Sequence, residues 1–572
     1  MFLSSLKTVF KKLQKHPLFY IILIICAANW QLLFGIRSLQ WDVTNFWAPW
    51  RYYISECYNN GHIPLWDPYA QAGYPVHGDL QGPAYCPEAI ISSFLFPTNL
   101  YFFNLLFLGY LILGAYGFFK LSVSILQKVK LKNGSSLDEA LFSKVSIVSA
   151  LLYSLSGYNV GHGHYLYITI SVALLPWIYY YFIRLFYKGT FTDAIKLALF
   201  IFWQVTAGNP SFLIIAGYLL AFMALMRSVY LFRNKRNGEV FHFLKRVSLA
   251  FILVLILSLP VFINAFLVFP DTSRFGGMKM EFAGEESFGF KNFFTFFTSL
   301  ISFERDLKLG NDPPIFSHYI GLFTLLFSII GLIKLRSFWL RTLAAIALIA
   351  MLLSFGLQTP VYSFFFKYLP FVNVFRMPRL IFIHVLIFLL LLFSCGLAYY
   401  LREGIKPKIV ITYTVIVILI SLASVLFFRF GYHELKSGYE VQFDTLRNLL
   451  WTSTQTTKAI FSLVINIILI LTAYPFFKQG QTKKVIFLLL FDIVLNYNLG
   501  SICRNFSEDK LSFSDSYIRR LPQGFPVPAN IPAKKIDLVT NHFNEFWKNI
   551  PIYLKQPYYG NDNSFELSRY ME

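Results

Sequence analysis

The chain has 572 residues, of which 56% are hydrophobic and only 14% charged, and its mean hydropathy is +0.55. Soluble domains carry about 25% charged residues, so most soluble classes are excluded. The net charge of +21 does not make a nucleic-acid-binding face, because its lysines and arginines sit in short connections between apolar stretches rather than in one patch.

The chain opens with Lys7, Lys11, Lys12 and Lys15 before an apolar run from Leu18 to about Leu39 that reaches Trp41 without a small-residue cleavage site. That pattern predicts an uncleaved first membrane span. Apolar windows of about twenty residues, long enough to cross a hydrocarbon core of about 30 Å, recur to the far end of the chain. Thirteen such windows are expected, centred near residues 28, 110, 150, 175, 200, 220, 257, 325, 347, 390, 418, 466 and 491. The basic connections around Lys128 to Lys132, Arg233 to Arg246, Lys334 to Arg341, Arg402 to Lys408 and Lys478 to Lys484 then share one side with the N-terminus, as cytoplasmic loops do. The expected architecture is an all-α polytopic membrane protein, with a multispanning domain over 1–500 and a small extracytoplasmic segment over 501–572.

Three long outer segments follow from that topology: about 41–96, about 270–315 and about 429–455. The first carries Asp42, Glu56, Asp67, Asp79 and Glu88 against Arg51 alone, together with Trp47, Trp50, Tyr52 and Tyr53. Loops of this length without structure of their own are usually functional or disordered, and this aromatic content argues against disorder. Short amphipathic helices resting on the membrane are expected in it. Cys57 and Cys86 share the loop, and a disulfide between them is open.

Four constellations could carry chemistry. Asp42, where the chain leaves the first span, is suited to act as a general base on an acceptor hydroxyl, or is a helix cap. The run GHIPLWDPYAQAGYPVHGDLQGPAYCP places the aromatic faces of Trp66 and Tyr85 beside the polar tips of Asp67, His77 and Asp79, a combination suited to sugars. A divalent metal at His77 and Asp79 would lack a third ligand, so no metal site or other cofactor is assigned. The Gly161-His162-Gly163-His164 turn could steady an anionic phosphate through His164. Finally, Phe375-Arg376-Met377-Pro378-Arg379 places Arg376 and Arg379 at headgroup depth, where guanidinium groups grip phosphate or simply snorkel. Glu281, Glu285 and Glu286 read as a solvated acidic patch.

Taken together, Asp42 after the first span, the GHIPLWDPYAQAGYP block, the segment ending at Pro87, SGYNVGHGH over 156–164 and FRMPR over 375–379 resemble the bacterial YfhO family. That family is similar to the multispanning C-type glycosyltransferases that use polyprenyl-phosphate sugars. The resemblance implies an inverting transfer from such a donor to a cell-envelope glycan acceptor at the outer face of the bacterial cytoplasmic membrane. Asp42 would be the base, and His164, Arg376 and Arg379 would steady the departing lipid phosphate. The chain departs from the superfamily's paired acids, since Val43, Thr44 and Asn45 follow Asp42, which weakens a metal-assisted variant. Its 501–572 segment is also shorter than the outer C-terminal region common in the family. A flippase of lipid-linked saccharides and a noncatalytic envelope-assembly protein are the alternative readings.

Overall fold

The computed structural model describes residues 16–39, 42–70, 73–96, 98–132, 134–187, 189–207, 209–301, 317–431, 453–504, 506–511 and 552. Helix dominates, and the described strands form only two short antiparallel pairs: Arg37–Leu39 with Phe506–Lys510, and Lys130–Leu131 with Leu335–Arg336. Among the described residues, nine helices are long and apolar enough to cross a membrane, and Pro17–Ala28, Thr324–Lys334 and Phe338–Ser354 are shorter apolar helices. All-helical spanning structure follows from the solvent, because hydrocarbon offers backbone groups no partner and a helix satisfies its own. Most of the expected 501–572 segment, and of the 429–455 loop, lies outside the described residues.

Helix starts follow local chemistry. The Asn99 side chain accepts from the Phe102 amide at 2.9 Å to open Leu100–Leu126, and Thr190 with Asp193 forms a reciprocal capping box at Phe191–Thr206. Asn209 caps Pro210–Arg233 through the Ser211 amide at 3.1 Å, with proline at the first helical position. The expected span from Leu18 to Leu39 is corrected: the helix stops at Ala28, a single turn covers Trp30–Leu33, and a strand follows. Asn29 makes the break, its amide donating to the Ile25 carbonyl at 2.9 Å while its oxygen accepts from the Tyr497 hydroxyl at 2.6 Å.

The Pro378–Glu403 segment is the centre of the bundle, with 94% of its apolar window buried, whereas Asn237–Asp271 has 22% buried and lies at the periphery. Two contacts fix the centre. A Cβ on Gly396 would overlap the Phe327 carbonyl, and one on Gly331 would overlap the Leu392 carbonyl, so the Phe382–Glu403 and Thr324–Lys334 helices cross backbone against backbone. On another face, the Ser394 hydroxyl donates to Ser149 at 2.7 Å and accepts from Ser122 at 3.0 Å, which itself accepts from Ser146 at 2.9 Å.

The basic connections gather at one end of the bundle. Lys130 pairs with Arg336 in the second strand pair, and Arg402 donates to the Ser136 carbonyl. Near the other helix ends, Asp492 accepts from the Leu322 amide at 2.8 Å, the Tyr319 hydroxyl at 2.5 Å and the Asn496 amide at 2.9 Å. A mid-span carboxylate so fully engaged braces the 317–323 turn. We expect Gly396→Leu to cost more than about 1–3 kcal/mol, the usual range for overpacking, because a backbone atom blocks the new side chain. Thermal unfolding in detergent, with Ser394→Ala as a milder comparison, measures this.

Candidate functional site

Opposite the basic end, the FRMPR turn is held from four directions. Tyr218 donates to the Pro370 carbonyl at 2.9 Å, Tyr158 donates to the Leu380 carbonyl at 3.1 Å, and the Met278 amide donates to Asn373 at 2.9 Å. The fourth hold is an ion pair between Arg379, which has no exposure, and Glu286. Glu286 is therefore not part of a solvated patch; Glu281 and Glu285 remain exposed. Met377 and Glu286 have φ values of 71° and 57°, a left-handed conformation that costs a non-glycine residue about 1–3 kcal/mol and persists only where surrounding contacts impose it.

Tyr167, the second residue of Leu166–Leu185, lies within electrostatic reach of Asp42, Arg376, Glu286 and Arg379. Asp42 is half-buried and leads into the widened, π-helical turn Val43–Trp47. Trp47 from that segment stacks on Tyr167 with ring centres 5.6 Å apart, so the start of the first loop and the start of this helix are packed together. The buried Trp47 Nε1 has no hydrogen-bond partner among the described residues. Trp41 lies outside them.

The two histidines expected in an outer turn are instead interior. His162 ends the Gly157–His162 helix, stacks on Tyr158 at 4.1 Å and uses Nδ1 toward the Tyr158 carbonyl at 2.8 Å. Its Nε2 has no partner among the described residues, and the charges of Arg379, His318 and His164 act on it. His164 is buried with its ring 4.0 Å from that of Tyr165. The helix can enter this deeply because Gly157 lies against the Tyr319 backbone, where any Cβ would clash, and its amide donates to the Tyr319 carbonyl at 2.7 Å.

Beside this cluster runs a groove of about 440 Å³, lined by Ser211, Ile215, Tyr362, Arg376, Met377 and His384 among others. Much of that space is open to solvent, and the enclosed part is only about 40 Å³. Arg376 is exposed, with its guanidinium 5.7 Å from the Phe282 ring centre. His384 is buried, shares a 2.9 Å hydrogen bond with the Tyr179 hydroxyl through Nδ1, and leaves Nε2 without a partner among the described residues.

The second half of the first loop forms its own packed unit. Asp67 pairs by backbone with Tyr74 and accepts from the Tyr69 amide at 2.9 Å; Asp79 accepts from the Tyr74 hydroxyl at 2.8 Å and the Gln81 amide at 2.7 Å. His77 Nδ1 meets the Leu65 carbonyl at 2.6 Å, Tyr85 accepts from Asn264 at 2.9 Å, and Trp66 stays 47% exposed. Trp50, 5.9 Å from Trp47 and closely packed on Gly82, joins this unit to the Asp42 segment. The loop's base is tied by Arg51, which is buried against Glu88 at 2.9 Å and Ser92 at 2.8 Å. Cys57 and Cys86 are free thiols, not a disulfide. Among the described residues no group of three His, Cys, Asp or Glu could hold a metal ion. Ile91, Phe94, Leu95 and Phe96 form an exposed apolar edge at the loop's end, the amphipathic surface expected of a segment at a membrane interface.

Sequence reasoning named Asp42, His164, Arg376 and Arg379, read Glu286 as a solvated acid, and did not single out Tyr167, His318 or His384. Tyr167, His318 and His384 sit in or beside apolar windows that look like ordinary span. The chain matches no protein-family model and no curated protein.

Burial lifts the carboxyls of Asp67 and Asp79 from 3.8 to about 6, against the lowering by their hydrogen bonds. A raised folded value favours the protonated loop, so the contribution is full below about pH 4 and is lost as pH rises through about 6. We expect hydrogen exchange in residues 61–87 to reveal easier opening at pH 7 than at pH 5, by about 1 kcal/mol per carboxyl. Asp79→Asn should flatten the pH dependence.

Proposed function

We propose that this chain is a membrane glycosyltransferase of the C-type architecture, related to the YfhO family, that transfers a sugar from a polyprenyl-phosphate donor to an extracytoplasmic envelope acceptor. The observation that supports it is that one half-buried carboxylate, Asp42, and the Arg376 and Arg379 cations all lie within electrostatic reach of Tyr167, beside a groove that enters the bundle. In this reading the basic end faces the cytoplasm of a bacterial cell and the first loop faces outward. Thirteen crossings result when Pro17–Ala28, Phe191–Thr206, Thr324–Lys334 and Phe338–Ser354 are counted with the nine longer helices.

The chemistry needs little apparatus. Asp42 takes the proton of the acceptor hydroxyl as that oxygen attacks the anomeric carbon, and the bond from that carbon to the phosphate oxygen breaks with inversion. The electron pair leaves on the lipid phosphate, where Arg376 stabilises the added charge. Arg379, committed to Glu286, holds the turn that aims Arg376. Trp66, with the Asp67, His77, Asp79 and Tyr85 unit that supports it, offers the acceptor an aromatic platform. A transporter reading would call for a loosely held charge at mid-membrane, and Asp492 is instead locked by three hydrogen bonds.

Asp42→Asn should lower transfer from a polyprenyl-phosphate sugar by about 10²–10⁴-fold at equal expression, the range for loss of a general base. Undiminished transfer by this variant would remove Asp42 from the mechanism. Arg376→Gln should lower turnover while leaving the thermal midpoint unchanged, because its guanidinium is exposed rather than part of the packing.

A further inference from the structure

The basic end holds a cation whose surroundings differ from those of its neighbours. Arg227 lies inside Pro210–Arg233, two turns short of the helix end, and is only 4% exposed. Its guanidinium is packed against the rings of Tyr187, Tyr230 and Phe338 at 5.0, 5.2 and 5.7 Å. Its Nε has no hydrogen-bond partner, and no carboxylate pairs with it among the described residues. Lys128, from the connection after Leu100–Leu126, packs on the same Tyr187 ring, its ammonium 3.9 Å from the ring centre.

Two neighbouring arginines are paired with carboxylates. Arg184 pairs with Asp193 at 3.0 Å, and Arg236 pairs with Glu239. Lys128 and Arg227 are left uncompensated, and burial together with Arg227 and Arg184 pushes the Lys128 ammonium below its usual value. Aromatic faces offset only part of the loss of water around a buried guanidinium. The protein keeps the arrangement rigid all the same: Trp339 donates to the Tyr187 hydroxyl, and Ser337 donates to the Lys128 carbonyl at 3.2 Å. A snorkelling arginine or an ordinary positive-inside residue would instead spend its charge in water, as the exposed Arg233 nearly two turns away does.

We propose that Arg227 and Lys128 form a built anion site at the basic end, which takes the phosphate of an anionic lipid headgroup against the Tyr187 and Tyr230 rings. Basic pockets between spanning helices are suited to such headgroups. The site is separate from the Asp42 cluster and does not rest on the glycosyltransferase reading.

The test uses the full chain in neutral detergent, with dioctanoyl-phosphatidylglycerol and dioctanoyl-phosphatidylcholine as probes, read by native mass spectrometry and thermal shift. The anionic lipid should bind tighter than the zwitterionic one, and Lys128→Gln and Arg227→Gln should each weaken it about fivefold, the effect of removing one cation near an anionic headgroup. Arg233→Gln should stay within about twofold, since an exposed cation is largely screened. Lys128→Gln leaves every helix intact, so its result stands even if the Arg227 variant folds poorly. Displacement of the lipid by inorganic phosphate would identify the site as one for the free anion as well, and retention would restrict it to the headgroup. Equal binding of the two lipids, or unchanged binding by Lys128→Gln, would overturn the proposal.

Discussion

Arg379 is wholly buried, and Glu286 meets its charge there. Removing either partner of such a pair leaves an uncompensated charge, which typically costs about 3–5 kcal/mol. The pair therefore works as a fastener: it draws the 280–288 segment onto the start of the central helix and fixes the direction in which the chain enters it. The left-handed turn at Met377, the exposed position of Arg376 and the shape of the adjoining groove all depend on that fixed entry. The strain at Met377 and Glu286 flanks the fastener on both sides.

From this point the site is assembled by helix starts rather than by loops alone. Gly157–His162 brings His162 inward, Leu166–Leu185 brings Tyr167, Pro210–Arg233 brings Ser211, and the central helix brings His384. Asp42 arrives separately, carried by the aromatic packing of Trp47 on Tyr167. A carboxylate delivered by stacked rings is placed by packing rather than by its position in a flexible loop.

Much of the bundle was legible because apolar length and basic connections are direct consequences of the membrane. The windows near 110, 150, 175, 220, 257, 390, 418, 466 and 491 fall on long helices for that reason. The first window failed where a single polar residue, Asn29, found a distant partner in Tyr497, a contact 468 residues away in sequence. The same limit hid Glu286: three acids in a polar loop look alike until one meets a buried arginine. Asp67 and Asp79 were recognisable as polar groups among aromatics, yet their hydrogen bonds to the loop's own backbone depend on turns that composition does not specify. Histidine content marked the Gly161–His164 turn, but its depth follows from the approach of Gly157 to Tyr319, which no local pattern encodes.

The serine contacts at the bundle's centre have a consequence for how the protein is made. Ser394 joins Ser149 across 245 residues of chain, and a ribosome adding roughly 5–20 residues per second needs on the order of ten to fifty seconds to cover that distance. Throughout that interval the Leu100–Leu126 and Glu139–Ser154 helices are in the bilayer with an empty slot and three hydroxyls facing it. The segment that completes this half-bundle is the one that lies deepest in the finished fold, so the centre of the bundle closes only after about two thirds of the chain has been made.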